Sequence, residues 1–363
     1  MGNQIPWQIA ESDLKIVNRK TTVRESDSQP SCEKDDLSNQ QLLISSRKFA
    51  VENRSLSWWH LGSTLVIMSM LVGIVLAADA NVIRFLASVV LGLTLVRMFV
   101  IYHDYQHQAI FKNSRLAGGI LCFFGYLMLT PPSVWRRSHD HHHRHNSKLY
   151  GAAIGSFPVM TISGFQSASW LERLKYRFAR NPLVIVFGYL TVFMYGMCIR
   201  PLCLDTQRHA DAITAMSVHV AVAAVCIFGA DFTTTFFLLV IPLSLASAVG
   251  ALLFYMQHNF PDAKIRISEK WSYTDAALNA SSFLKMGRLL NWLTGNIGYH
   301  HVHHLNSKIP FYYLPTAMNE LVALQSPGTI SLSVRDIFTC LNLKLWDEAQ
   351  QKLVGYANAF SQD

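Results

Sequence analysis

The sequence predicts an all-α integral membrane protein: four transmembrane helices in two hairpins, re-entrant or interfacial segments between them, and a histidine-rich cap on the cytosolic face. Three observations carry that reading. Hydrophobic residues make up 51% of the 363-residue chain and charged residues only 15%, too apolar a balance for an ordinary soluble domain. Four apolar runs are each long enough to cross about 30 Å of hydrocarbon at about 1.5 Å per residue. Histidines gather beside the ends of these runs in three spaced boxes.

Residues 1–54 are polar and mixed in charge. They lack the apolar core of a signal peptide, and Pro6 stands where a myristoylation signal wants Ser or Thr. A loosely ordered cytosolic tail is expected there. Residues 55–315 form the membrane domain. Runs 56–78 and 82–101 make one hairpin about the tight turn at 79–81, and runs 212–230 and 232–256 make a second about 229–231. Runs 116–129 and 183–199 are shorter. The stretch 200–211 carries Arg200 and Arg208 and the 229–231 turn has no base, so the positive-inside rule puts the first in the cytosol and the second outside. Run 183–199 then starts and ends on the cytosolic side. The same holds for run 116–129, flanked by Lys112, Arg115, Arg136 and Arg137; Arg84, near the outer turn, dissents. Residues 316–363 form a cytosolic C-terminal segment. With four crossings every histidine box falls at the cytosolic face, whereas five or six would divide them.

A net charge of +8 crowds into the few polar segments. It suits anionic lipid headgroups or an acidic partner protein. Nucleic acid is the weaker partner, since no binding motif is present. The six cysteines, at 32, 122, 198, 203, 226 and 340, form no CxxC pair, and three fall inside apolar runs. They read as free thiols packed as small hydrophobes.

The chemistry lies in the histidines. HDYQH supplies His103 and His107, HDHHH supplies His139, His142 and His143, and HHVHH supplies His300, His303 and His304. On a helix, positions i, i+3 and i+4 share a face, so each box offers its imidazoles at one spot. His258 ends the fourth run. Neutral imidazole binds zinc, copper, iron or nickel, and nine nitrogens suit two ions better than one. No ExxH or HExxH motif is present, so ligand type alone leaves the metal open.

HxxxH, HxxHH and HxxHH, in that order and beside membrane-crossing runs, resemble the three histidine boxes of the integral-membrane fatty acid desaturases. The likeness covers roughly residues 55–315. Residues 129–143 (LTPPSVWRRSHDHHH) are similar to the second-box run of the Δ12/ω3 acyl-lipid branch, and QHNF (257–260) and GYHHVHHLNSKIPFYYL (298–314) to its later motifs. The resemblance implies a cap that holds two iron ions, activates O2 and removes two hydrogens from a lipid acyl chain. Carried over position by position, the ligands are His103, His107, His139, His142, His143, His258, His300, His303 and His304. Where the family often has Gly-His, this chain has Gln106-His107. No His-Pro-Gly-Gly haem motif occurs, so electrons are expected from a separate ferredoxin or cytochrome-type donor.

Other charged and polar residues have plainer readings. His60, His209 and His219 read as structural, and His141, His145 and His301 as solvated neighbours of the ligands. Asp104 and Asp140 are candidates to fix imidazole tautomers. Arg136, Arg137, Arg144, Lys148, Arg173, Lys175, Arg177 and Arg180 form a basic rim, for headgroups or for an acidic electron carrier. A hydroxylase or acetylenase on the same scaffold would look alike in sequence. A membrane metal transporter with histidine loops would place metal-binding residues within the crossings, and these are almost wholly apolar, with His219 the one candidate.

Overall fold

The computed structural model describes residues 39–151 and 154–360. Among the described residues four helices are long and apolar enough to cross a membrane, or five if one bent pair forms a single span: α1 (Arg54–Ala77), α2 (Asn81–Gln106), and two further on, α6 (Asp211–Gly229) and α7 (Phe232–His258). Between them lie α3 (Arg115–Leu127), α4 (Pro132–His145) and α5 (Trp170–Ala179). After α7 come α8 (Tyr273–Asn279), α9 (His300–Leu305) and α10 (Val334–Asn342).

Several starts have a local cause. The Asn53 side chain accepts the Leu56 N–H at the head of α1, and Ser114 does the same for Ala117 at the head of α3. Pro132 occupies the first turn of α4, where a missing N–H costs nothing. Asp211, from the start of α6, reaches across to accept the Ser133 N–H at 2.7 Å, so one carboxylate fixes the head of the helix that carries the second histidine box. Helices α3 and α4 meet at 87°, an angle that fits either a re-entrant unit or a single broken span.

Proline shapes two other segments. Residues Tyr189–Ile199 and Phe236–Val240 are π-wound, and Pro201 and Pro242 follow after one intervening residue each. A proline gives the preceding turn no N–H and crowds its carbonyl, and widening that turn relieves both. The segment Tyr189–Leu204 remains shorter than a crossing.

Helix α2 is the central pillar. Two-thirds of its apolar window is buried inside the protein (67%), against 17% for α1 and 11% for α6, so α1 and α6 turn most of their apolar surface outward. Gly92 lets α7 approach: a β-carbon there would lie 3.0 Å from the Pro242 carbonyl oxygen. Arg97, inside α2 and 1% exposed, spends its donors on neutral acceptors. Nε bonds Thr64 Oγ1 at 3.0 Å, Nη1 the Trp292 carbonyl, and Nη2 His60 Nδ1 at 2.9 Å. Its guanidinium also lies over the Trp292 ring at 4.1 Å. Such full pairing is what permits a cation among apolar spans.

Two small sheets close the polar end. Strands β1 (Met160–Thr161), β4 (Leu345–Asp347) and β5 (Lys352–Val354) form one in the order β1-β4-β5, and β2 (Phe283–Lys285) pairs in parallel with β3 (Thr329–Ser331). The C-terminal residues Cys340, Trp346 and Leu353 join the same apolar cluster as Ile101, Trp135 and Leu305.

The N-terminal tail departs from expectation in its last part. Phe49 is buried in that cluster, Ser46 Oγ accepts from Asn306 at 2.9 Å, and Lys48 pairs with Glu320 at 2.7 Å. A loosely ordered segment does not describe residues 39–54. The rest of the tail lies outside the described residues.

Candidate metal centre

The histidine boxes converge because three helices end, and one short helix begins, at the same place. His103 and His107 sit at the C-terminus of α2, His258 ends α7, α4 carries His139, His142 and His143, and α9 opens with His300. All nine expected ligands come together, in two groups. His103, His107, His139, His143 and His303 form one; His142, His258, His300 and His304 form the other, with one nitrogen from each residue within 4.8 Å of the others in its group. The groups touch, since His143 stacks on His304 with ring centroids 4.2 Å apart.

The nitrogen contacts test whether a metal fits. His103 Nε2 lies 3.0 Å from His139 Nε2, which lies 3.1 Å from His143 Nε2, which lies 3.1 Å from His303 Nε2. In the second group His258 Nε2 lies 3.0 Å from His142 Nε2 and 2.9 Å from His300 Nε2. Nitrogens bound at right angles to one ion about 2.1 Å away sit about 3 Å apart. The tautomers agree. His103 Nδ1–H donates to Asp104 Oδ1 at 3.1 Å and His258 Nδ1–H to the Ala280 carbonyl at 3.1 Å, so the Nε2 atoms of both carry lone pairs that face other nitrogens. A cation between them turns that repulsion into ligation. His107 Nε2 and His304 Nε2 are buried and meet no hydrogen-bond partner among the described residues. The donor set is all imidazole, with no carboxylate in either group.

Electrostatics favours the ligating form. Burial, reinforced by neighbouring imidazoles, holds His107, His300 and His304 well below their ordinary pKa, and does the same for His303 beside His103. These rings are neutral near pH 7, as metal binding requires. Around them, Trp135 stacks on His139 with centroids 4.3 Å apart, and Phe254 packs against His142 and His258.

The remaining polar residues fall into place less uniformly. Asp104 bonds His103 as expected. Asp140 does not bond a box histidine among the described residues; its charge acts on Lys308 instead. His141 and His145 stack on each other at 3.9 Å, outside both groups. His301 is not a solvated neighbour: it is fully buried, with Nε2 bonded to the Leu324 carbonyl at 3.1 Å. His60 bonds Arg97, His209 bonds Arg137, and His219 lies between Tyr189 and the Leu127 carbonyl. Arg180 leaves the basic rim, being 2% exposed and bonded to Asn259 Oδ1 at 2.6 Å.

Sequence reasoning missed the residues that brace the site. Gln257 donates to the Ile297 carbonyl at 2.9 Å and Asn259 to the Cys340 carbonyl at 2.6 Å, gripping the third-box loop and the C-terminal segment from either side of His258. Their signal was the QHNF string, read for its histidine alone. Tyr273, whose hydroxyl donates to the His304 carbonyl at 2.6 Å, had no signal.

A family model described as "Fatty acid desaturase" matches residues 80–331. The chain is 36% identical over 266 residues to the "Fatty acid desaturase" of Bacillus subtilis (strain 168), covering 72% of this chain and 74% of that protein. It is 26% identical over 238 residues to the "sn-1 oleoyl-lipid 12-desaturase" of Synechocystis sp., covering 63% and 66%, and 24% identical over 255 residues to the "Delta(12)-fatty-acid desaturase" of Arabidopsis thaliana, covering 61% of each. With four apolar helices and two histidine groups at their ends, the chain belongs to the fatty acid desaturase family of O2-dependent oxidoreductases.

Proposed function

We propose that this protein inserts a double bond near the Δ12 or ω3 position of an unsaturated acyl chain esterified in a membrane glycerolipid, using two iron ions held by the nine histidines. The observation that carries this reading is the pair of contiguous, all-imidazole groups at one end of an apolar helix bundle. Relatives named as 12-desaturases and omega-6 desaturases support the position. Five histidines would hold one ion and four the other. When bound, iron supplies the oxidising power with O2 that an unactivated methylene demands.

The protein's own part is to bind, orient and exclude water. Where α2 and α7 meet, Leu95, Phe99, Ala246 and Gly250, with Met128 and Phe193 beside them, line an apolar crevice of only about 10 Å³, smaller than an acyl chain. Phe99 precedes His103 by one helical turn, about 6 Å, and Gly250 precedes His258 by two, about 12 Å. Both lie on the faces that carry the histidines, so an acyl chain that parts these side chains would point at the metal groups.

Removing two hydrogens supplies two of the four electrons that reduce O2 to two waters. The other two come from a ferredoxin or cytochrome-type donor, for which Arg136, Arg137, Arg144, Lys148, Arg173, Lys175 and Arg177 offer a basic rim. The histidine end faces the cytosol in this reading, on the positive-inside rule. Expression in a host without polyunsaturated lipids, with fatty acids analysed by mass spectrometry, tests the activity. A new double bond in supplied oleate or linoleate is expected; its absence from both overturns the assignment.

A further inference from the structure

We propose that the cleft between the start of α1 and the turn after α2 binds a phosphate group, carried by a lipid headgroup or free in solution. The cleft has a volume of about 470 Å³, and Glu52, Arg54, Gln108, Lys112, Asn113 and Lys308 line it. Three of these are cations and one is an anion. That anion is already committed: Glu52 Oε2 pairs with Arg54 Nη2 at 2.9 Å, and Oε1 accepts the Phe111 N–H at 2.7 Å. Lys112 and Lys308 therefore have no carboxylate at salt-bridge distance among the described residues.

The bases are also held close together. Lys308 Nζ donates to the His107 carbonyl at 2.5 Å; burial lowers its pKa, Asp140 pulls it back up, and the positive charges of Lys112 and Arg136 lower it further. Like charges gathered on a concave wall repel one another, and a bound anion relieves the repulsion. The loop that presents Lys112 is wound unfavourably. Gln108, Phe111 and Asn113 take φ values of 57°, 57° and 63°, in the left-handed region that residues with a β-carbon avoid and that marks functional loops. Two ammonium groups, with two amide side chains beside them, match the acceptor oxygens of a phosphate, while Arg54, bonded to Glu52 and the Lys112 carbonyl, holds the loop.

The location favours a membrane source. Arg54 opens α1, and on the same stretch Ile44, Val51 and Trp59 are exposed by 59%, 65% and 69%. Exposed apolar and aromatic side chains beside cations are the pattern of a bilayer interface, which sets the cleft at headgroup depth. This inference does not rest on the proposed reaction, and its test reads binding alone.

Full-length protein in a phosphate-free maltoside is titrated with phosphatidylglycerol, an uncharged galactosyl diacylglycerol, inorganic phosphate or a ferredoxin, and adducts are counted by native mass spectrometry. One phosphatidylglycerol should bind at least about tenfold more tightly than the galactolipid. Lys112→Glu should erase that preference and Lys112→Arg retain it, with unliganded Tm no lower than the parent's because Lys112 is exposed. Inorganic phosphate that competes at similar concentration identifies a site for the free ion; failure to compete identifies a headgroup site. Equal binding of the two lipids, or a Lys112→Glu variant that binds like the parent, overturns the proposal. So does a variant that loses only ferredoxin, which would make the cleft a protein-docking surface.

Discussion

Asp104 ties the first histidine box to the loop that follows the third. Its Oδ1 accepts the Nδ1–H of His103 at 3.1 Å, and its Oδ2 accepts the Phe311 backbone N–H at 2.7 Å. The residue is 1% exposed, so neither bond is exchanged for water. Asp104→Ala frees the His103 ring to rotate and leaves a buried N–H unpaired. Iron affinity should fall by about 10–100-fold, measured by iron content after competition with a chelator. Asp104→Asn keeps one acceptor and should lose less. Equal iron retention in Asp104→Ala and the parent would show that the contact has no part in ligation.

The nine histidines give a sharper contrast. Replacing any of His103, His107, His139, His142, His143, His258, His300, His303 or His304 with Ala should abolish turnover while membrane insertion persists. His141→Ala and His145→Ala should remain active, because both rings lie outside the two groups. His301→Ala should lower stability by about 1–3 kcal/mol, since it leaves the Leu324 carbonyl unpaired and a cavity behind. Full activity in two or more of the nine variants contradicts the ligand set.

The contrast between His301 and its neighbours shows what could be read from sequence. Helical spacing picks out positions 300, 303 and 304, and hydropathy picks out the four crossings, because both signals are local. The fate of His301 depends on a carbonyl 23 residues away, and periodicity carries no such information. Arg180 reads as one more member of a charged run until Asn259 and the Leu343 carbonyl enclose it. Arg97 breaks an apolar run for no local reason, since its partners come from residues 60, 64 and 292. The prolines were visible, but not that the turns before Pro201 and Pro242 widen. Long-range polar pairing is the part a single sequence conceals.

Acid should separate metal-loaded from metal-free protein. Folded His107, His300, His303 and His304 have pKa values well below the ordinary 6.5. Above 6.5 neither the folded nor the unfolded forms of these rings carry protons. Below it the unfolded chain takes up protons that the folded cluster refuses, so stability falls as pH falls. The Tm of chelator-stripped protein should drop between about pH 7 and about pH 5, and the drop should be smaller with metal bound. A Tm of stripped protein that stays flat across this range would mean that the cluster is not buried and neutral.

Topology follows from the four crossings. Reporters fused after residues 54, 110, 147, 206 and 310 should signal the cytosol, and one at 230 the outside. The bent pair α3 and α4 makes position 147 the informative one: if the pair were a single broken span, 147 would signal the outside.

The apolar gap between α2 and α7 gives the last prediction. Gly250 lines it, and a β-carbon at this position meets nothing within 4 Å. The β-carbon itself displaces nothing, so residue 250 tolerates a side chain, and the rest of a leucine then lies across the opening of the crevice. Gly250→Leu should leave Tm and iron content close to the parent while filling space that the acyl chain needs. Gly92 provides the control, since its β-carbon would press on the Pro242 carbonyl and the Leu245 side chain; Gly92→Leu should lower Tm. If the gap holds the substrate, Gly250→Leu cuts turnover of long acyl chains by about tenfold or more, the scale of losing a few buried methylenes at about 0.8 kcal/mol each, and affects shorter chains less. Unchanged conversion across chain lengths would place the acyl chain elsewhere on the bundle.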